Sequence, residues 1–131
     1  YEKSVKRHCG RVGAIEVFLS GPGLENYFSF ITNENKSSKD IVELFRNGDE
    51  ITKKIMDKYF ERTARSFSSI VNILDPDVIV CGGGMSEISE LYDEVPKRII
   101  PYIASDFFNT PIIKSFHGSS SGVRGAALLW D

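Results

Sequence analysis

The stretch that most restricts this chain is Leu74-Asp75-Pro76-Asp77-Val78-Ile79-Val80-Cys81-Gly82-Gly83-Gly84. It reads as a helix end, a turn, a short strand and a glycine loop. A residue before proline is pushed out of the helical region, so Asp75-Pro76 stops whatever helix precedes it. Val78 to Cys81 is an unbroken apolar run, the pattern of a strand covered on both faces in a parallel sheet flanked by helices. The three glycines then leave bare backbone at the carboxyl end of that strand, where open α/β sheets bind ligands. Two readings fit: a binding loop for a planar or phosphorylated ligand, and a plain strand-to-helix turn.

The rest of the chain supplies helices to cover such a sheet. Cys9-Gly10 and Gly13 mark a tight loop, and Ala14 to Ser20 is apolar apart from Glu16. Gly21-Pro22-Gly23 breaks that run and starts a helix carrying Leu24, Tyr27, Phe28 and Ile31 on one face. Ser38 is suited to cap a short helix bearing Ile41, Val42, Leu44 and Phe45, which Asn47-Gly48 ends. Asp49 caps a long helix over about Glu50 to Leu74, with Ile51, Ile55, Tyr59, Phe67, Ile70 and Leu74 at helical spacing. After the glycines, Ser86 or Ser89 can cap a helix. Pro96 interrupts the pattern, and a further helical piece runs from about Val95 to Ile103. Ile112 to Phe116 is a second strand, His117 to Gly122 a turn, and Val123 to Trp130 a last helix. In that helix Gly125, Ala126 and Ala127 permit close packing. This order makes the chain α/β.

The bulk properties exclude several classes. A chain of 131 residues is one domain or part of one, and 41% apolar content suits a globular protein. The net charge is -2, from 16 basic and 18 acidic residues, so nothing attracts a nucleic acid backbone or an anionic membrane. No apolar run approaches the ~20 residues of a membrane span. Residues 1–8 are polar and basic with no apolar segment after them, so no secretory leader is expected there. Cys9 and Cys81 sit in different contexts, which argues against a disulfide framework and for a reducing cytoplasm.

Few motifs carry chemistry. Gly82 to Glu87 is not a dinucleotide fingerprint, since G-x-G-x-x-G needs glycine at the position of Glu87. Gly118, Ser120 and Gly122 match G-x-S-x-G between a strand and a helix, the setting of a hydrolase nucleophile elbow. Such a fold needs an acid and then a histidine after the serine, and only Asp131 follows. A serine-capped helix start is the better reading. His8 and Cys9 are adjacent, and two neighbouring donors do not make a four-ligand zinc site. Glu16 lies in an apolar run, where an unpaired carboxylate is costly. It is expected to face a basic partner or a polar pocket, where it can accept hydrogen bonds from sugar hydroxyls; a surface helix position is the alternative.

Four stretches together resemble the ROK family of bacterial sugar kinases and related repressors. They are Cys9 to Glu16, Ser20 to Gly23, Leu74 to Ser86, and Ser120 to Trp130. The last two, LDPDVIVCGGGMS and SSGVRGAALLW, are most similar to bacterial fructokinases. The resemblance implies the C-terminal lobe of an actin-like, ribonuclease-H-like ATPase fold with an incomplete sheet, all of residues 1–131 forming part of that lobe. It implies transfer of the γ-phosphoryl of ATP to a hexose hydroxyl with Mg²⁺, by a fructokinase or otherwise a glucokinase or N-acetylhexosamine kinase. The same family includes repressors in which this lobe binds a sugar effector. Glu16 matches the sugar-binding glutamate, and Gly82, Gly83 and Gly84 match the loop beside the nucleotide.

The phosphate-binding loop and the aspartate that takes the hydroxyl proton would lie upstream. The chain is therefore expected to be an inactive fragment on its own, completed by a missing N-terminal lobe and forming homo-oligomers. The zinc pattern of the family, C-x-C-G-x-x-G-C-x-E, has Arg7 and Ala14 at its first and third cysteines. Cys9 is its lone remnant, and no metal is expected. Ser119 replaces the usual aspartate after His117-Gly118.

Overall fold

A computed structural model describes residue 10 and residues 12–130. The backbone divides into two units, Tyr1–Thr63 and Ala64–Asp131, with one helix running through the division.

The first unit is helical. Helix α1 is a single turn, Glu16–Leu19, and α2 follows at once over Gly21–Thr32. Ser20 separates them in an extended conformation, and its hydroxyl accepts from the Gly23 amide at 3.2 Å. The apolar run at Ala14 to Ser20 is thus a helical turn, and the Gly-Pro-Gly segment lies inside α2's first turn. Helix α3 is Ser38–Arg46, capped one residue earlier than expected. Ser37, not Ser38, accepts from the Asp40 amide, while the Asp40 carboxylate accepts from the Ser37 amide. Two adjacent serines look alike in sequence; the carboxylate three residues on selects Ser37 through a reciprocal capping box. Ser38 instead donates its amide to Glu25.

Helix α4 spans Glu50–Leu74 as expected, and Asp49 caps it by accepting from the Thr52 amide at 2.7 Å. The core of this unit joins Leu24 and Phe28 of α2, Ile41 and Val42 of α3, and Ile55, Met56, Tyr59 and Phe60 of α4. Phe60 meets the rings of Phe45 and Tyr59 edge to face.

In the second unit α4 ends at Leu74, and Asp75 turns the chain with φ +42°. Asp tolerates this left-handed region better than most residues. Strand β1 is Ile79–Cys81 and β2 is Ile112–Lys114; they pair in parallel, with Ile79 opposite Ile112 and Cys81 opposite Lys114. Helix α5, Leu91–Ile99, connects them and buries Leu91, Val95 and Ile99. Pro96 does not interrupt it: the helix passes through and tightens into a 3-10 turn at Ile100–Tyr102. Neither Ser86 nor Ser89 caps α5, since Glu90 occupies the cap position, where its side chain caps no helix amide. Helix α6 is Ser121–Ala127, followed by a 3-10 turn at Leu128–Trp130.

Two expectations about cover fail here. β1 is not covered on both faces, because Val80 is 55% exposed and its neighbour Ile113 45%. The second strand stops at Lys114, and Phe116 is 96% exposed. Gly125 of α6 has open space where a side chain would project, so the close packing its small residues permit is absent among the described residues. No described helix is long and apolar enough to cross a membrane.

Candidate functional site

The carboxyl ends of β1 and β2 deliver two loops side by side. After Cys81 come Gly82 and Gly83, then a 3-10 turn over Gly84–Glu87. After Lys114 comes Ser115, whose amide donates to the Cys81 carbonyl at 2.8 Å and extends the strand pairing. A tight turn then brings in Gly118, whose carbonyl accepts from the Ser115 hydroxyl at 3.1 Å, and a 3-10 turn over Gly118–Ser120. The two loops are tied by the Lys114–Glu87 ion pair at 2.5 Å. Parallel pairing is what places both loops at the same end of the sheet, the end where open α/β sheets bind ligands.

Gly83 has φ +81° and ψ 180°, a region essentially restricted to glycine. A side-chain carbon added at Gly83 or Gly84 would meet nothing within 4 Å. Gly83 is therefore needed for backbone shape, and the three glycines leave open, exposed main chain. The loop is strapped from below. The buried Ser86 donates its hydroxyl to the Gly83 carbonyl at 2.7 Å, and Tyr92 of α5 donates to the Ser86 carbonyl at 2.7 Å. Burial is the main cause that raises the Tyr92 phenol above its ordinary value, so it stays a hydrogen-bond donor at neutral pH. Burial likewise pushes the Cys81 thiol above its ordinary value. Sequence reasoning missed Ser86 and Tyr92 as loop supports. The signal is weak, since a serine three residues past a glycine is common in turns.

Ser120 is not poised as a nucleophile. Its hydroxyl donates to the His117 carbonyl at 2.9 Å, and it caps α6 without accepting any backbone amide. The serine-cap expectation is corrected with it: the hydroxyl closes the turn behind it, not the helix ahead.

Glu16 is placed differently from an acid in a buried apolar run. It is exposed, in the first position of α1, where a carboxylate is compatible with the helix dipole. A polar hollow of about 440 Å³ nearby in sequence is lined by Glu25, Asn26, Asn35, Lys36, Ser37 and Asp40, and Glu16 is not among its walls. Cys9, His8 and Arg7 lie outside the described residues. Ala14 offers no donor atom, so the family's zinc pattern does not fit this chain. Among the described residues, no three His, Cys, Asp or Glu side chains cluster as metal ligands.

Comparison with known proteins follows the same lines. The ROK family model matches residues 2–131. An N-acetyl-D-glucosamine kinase of Vibrio atlanticus is 37% identical over 121 residues, covering 92% of this chain and 40% of the relative. The chain thus spans about two-fifths of the length of the curated relatives it matches. Among solved structures, a ROK hexokinase from Thermus thermophilus superposes with a TM-score of 0.81 at 22% identity, over 98% of this chain and 43% of that one. A ROK family glucokinase from Streptomyces griseus, in complex with glucose and AMPPNP, gives a TM-score of 0.79 at 23% identity, over 92% of this chain and 45% of that one. The fold is therefore part of the actin-like ATPase fold of these kinases.

Proposed function

We propose, for a chain that belongs to the ROK family, that it is part of a cytoplasmic ATP-dependent hexose kinase and forms the nucleotide side of its cleft. The observation that carries this is the pair of loops at the carboxyl ends of β1 and β2, with Gly82, Gly83 and Gly84 presenting bare backbone. Such main chain lets a nucleotide lie flat against the loop with no side chain between. Ser86 and Tyr92 keep that floor rigid, so little ordering is needed on binding. Glu16 is the sugar contact, accepting hydrogen bonds from sugar hydroxyls.

The reaction is the attack of a sugar hydroxyl oxygen on the γ-phosphorus of ATP. The bond to the β,γ-bridging oxygen breaks, ADP leaves, and the hydroxyl proton passes to a base. Phosphoryl transfer relies on positioning and charge stabilisation, and this chain's share is positioning. No residue of the chain is assigned the base, an aspartate placed in the remainder of a longer protein. Mg²⁺ would neutralise phosphate charge when it enters with the nucleotide, and no residue of this chain is assigned to hold it. The uncovered apolar surface around Val80, Ile113 and Phe116 is where we place the missing lobe or a second copy.

The relatives point to N-acetyl-D-glucosamine as the first sugar to test, with fructose, suggested by the Leu74–Ser86 and Ser120–Trp130 stretches, as the second. The assay is ADP release by the full-length protein with each of these sugars and with glucose. ATP-dependent phosphorylation of one of them is expected, with Gly84→Val raising the KM for ATP and leaving that for sugar unchanged. Absence of turnover with every sugar, together with sugar-dependent DNA binding through an upstream helix-turn-helix, would replace the kinase with a repressor. The 131-residue chain alone is expected to be inactive.

A further inference from the structure

Glu16 sits on a helix too short to hold itself. α1 has four residues, and no side chain caps its start at Ile15. A single helical turn is unfavourable in isolation, because nucleation fixes several residues for one hydrogen bond. Metal does not supply the missing rigidity, since Arg7 and Ala14 stand where the family pattern has thiolates.

Support comes from about forty residues away, on one face of α4. The Tyr59 hydroxyl donates to the Leu19 carbonyl at 3.1 Å, satisfying an acceptor at the end of α1. One turn further along α4, the Arg62 guanidinium lies over the Phe18 ring at 5.1 Å and the Tyr27 ring at 4.4 Å. Both distances are within the range of cation–π attraction, so one cation binds α1 and α2 together. Tyr59 and Arg62 are three apart and share a helix face. Gly23 completes the clamp from α2: a side-chain carbon there would lie 2.5 Å from the Val17 carbonyl oxygen, so only glycine permits this approach.

We infer that Tyr59 and Arg62 are positioning residues for Glu16, holding the one-turn helix that presents its carboxylate to the sugar. This rests on the assignment of Glu16 as a sugar contact made above. Tyr59 meets α1 at Leu19 and Arg62 meets it at Phe18, so both act through Glu16's placement.

The test uses steady-state kinetics of the full-length protein with its best sugar and ATP. Glu16→Gln, Tyr59→Phe and Arg62→Met are made singly, and the last two are each combined with Glu16→Gln. Tyr59→Phe removes one oxygen and is expected to raise the sugar KM about fivefold, the effect of one neutral hydrogen bond. The KM for ATP stays unchanged. In the Glu16→Gln background neither Tyr59→Phe nor Arg62→Met raises the sugar KM further, because nothing remains to be positioned. Arg62→Lys keeps the charge but not the planar stacking face, and recovers only part of the loss. If Arg62→Met fails to fold, the Tyr59→Phe cycle decides alone. Additive effects in the double variants, or equal shifts in both KM values, would overturn the inference while leaving Glu16 as a sugar contact. An unchanged sugar KM in Glu16→Gln would overturn that assignment itself, and the positioning role with it.

Discussion

The second unit of the chain carries more apolar side chain than the first and leaves more of it open. In the first, Leu24, Phe28, Ile41, Val42, Ile55, Met56, Tyr59 and Phe60 close on one another. In the second, Ile88, Leu91, Val95, Ile99 and Ile112 are buried, yet Val80, Ile113, Phe116, Val123, Leu128 and Leu129 stay open. The difference follows from how each element satisfies itself. A helix completes its backbone hydrogen bonds internally and needs cover on one stripe only. A strand needs a neighbour on each edge and cover on each face, and two strands rarely suffice. The second unit therefore has an unfinished surface beside a finished loop, whereas the first unit has a closed core and carries Glu16 at its margin.

The sharpest way to break this comparison is to truncate one large ring in each unit. Phe60→Ala, at 2% exposure, is expected to cost about 3–5 kcal/mol by chemical denaturation, through a cavity in the first core. Phe116→Ala in the same chain should change stability by no more than about 0.5 kcal/mol, as an open surface site does. Equal losses would show that Phe116 is covered after all.

The next largest effect belongs to the glycine loop. Gly83→Ala forces a side chain into a glycine-only conformation and should destabilise by about 1–3 kcal/mol, although no atom stands in its way. A neutral result, read by thermal unfolding, would mean the loop readily adopts another shape.

Smaller still is the cap of α3. Ser37→Ala should cost about 1 kcal/mol and Ser38→Ala much less, since only Ser37 accepts an amide in the capping box. The reverse order would return the helix start to Ser38.

The smallest effect is electrostatic. In the first unit the carboxyls of Asp40, Asp49 and Glu50 lie below their ordinary values, chiefly through hydrogen bonds from Ser37, Thr52 and Lys53 respectively. In the second, hydrogen bonds from Arg98 and Lys97 lower Glu94. A depressed carboxyl stabilises the folded state above its unfolded value, near pH 4, and loses that contribution as pH falls through the lower folded value. Stability should therefore be flat from neutral pH to about 5 and decline below about 4. Asp49→Asn keeps a good cap and should make that acid decline shallower, with little change at neutral pH. An unaltered acid profile would remove Asp49 from the acid response.

How much of this was legible depends on the range of the forces involved. α4 was readable to its ends, because Asp49 and Asp75-Pro76 are local signals and its apolar stripe repeats over many turns. Pro96 misled, because proline removes one hydrogen bond of a helix whose Leu91, Val95 and Ile99 are buried against other elements, and that packing prevails. Glu16 was legible as an odd acid among apolar residues, with a surface helix position left open as the alternative that the structure bears out. The short helix that carries it is contacted by Tyr59 and Arg62, distant in sequence and silent about their target. The glycine loop was legible as bare backbone after a strand, while its strap by Ser86 and Tyr92 was not.

By its residues alone the chain determined its long helix, the existence of most other helices and a short strand ending in glycines, since capping, turn residues and periodicity act within a few residues. Only the tertiary structure decided that the loops after β1 and β2 lie side by side, that Gly83 occupies a conformation closed to other residues, and that α1 is gripped by α4. Those outcomes require contacts between segments far apart in sequence, whose closing cost is repaid only when both partners are in place.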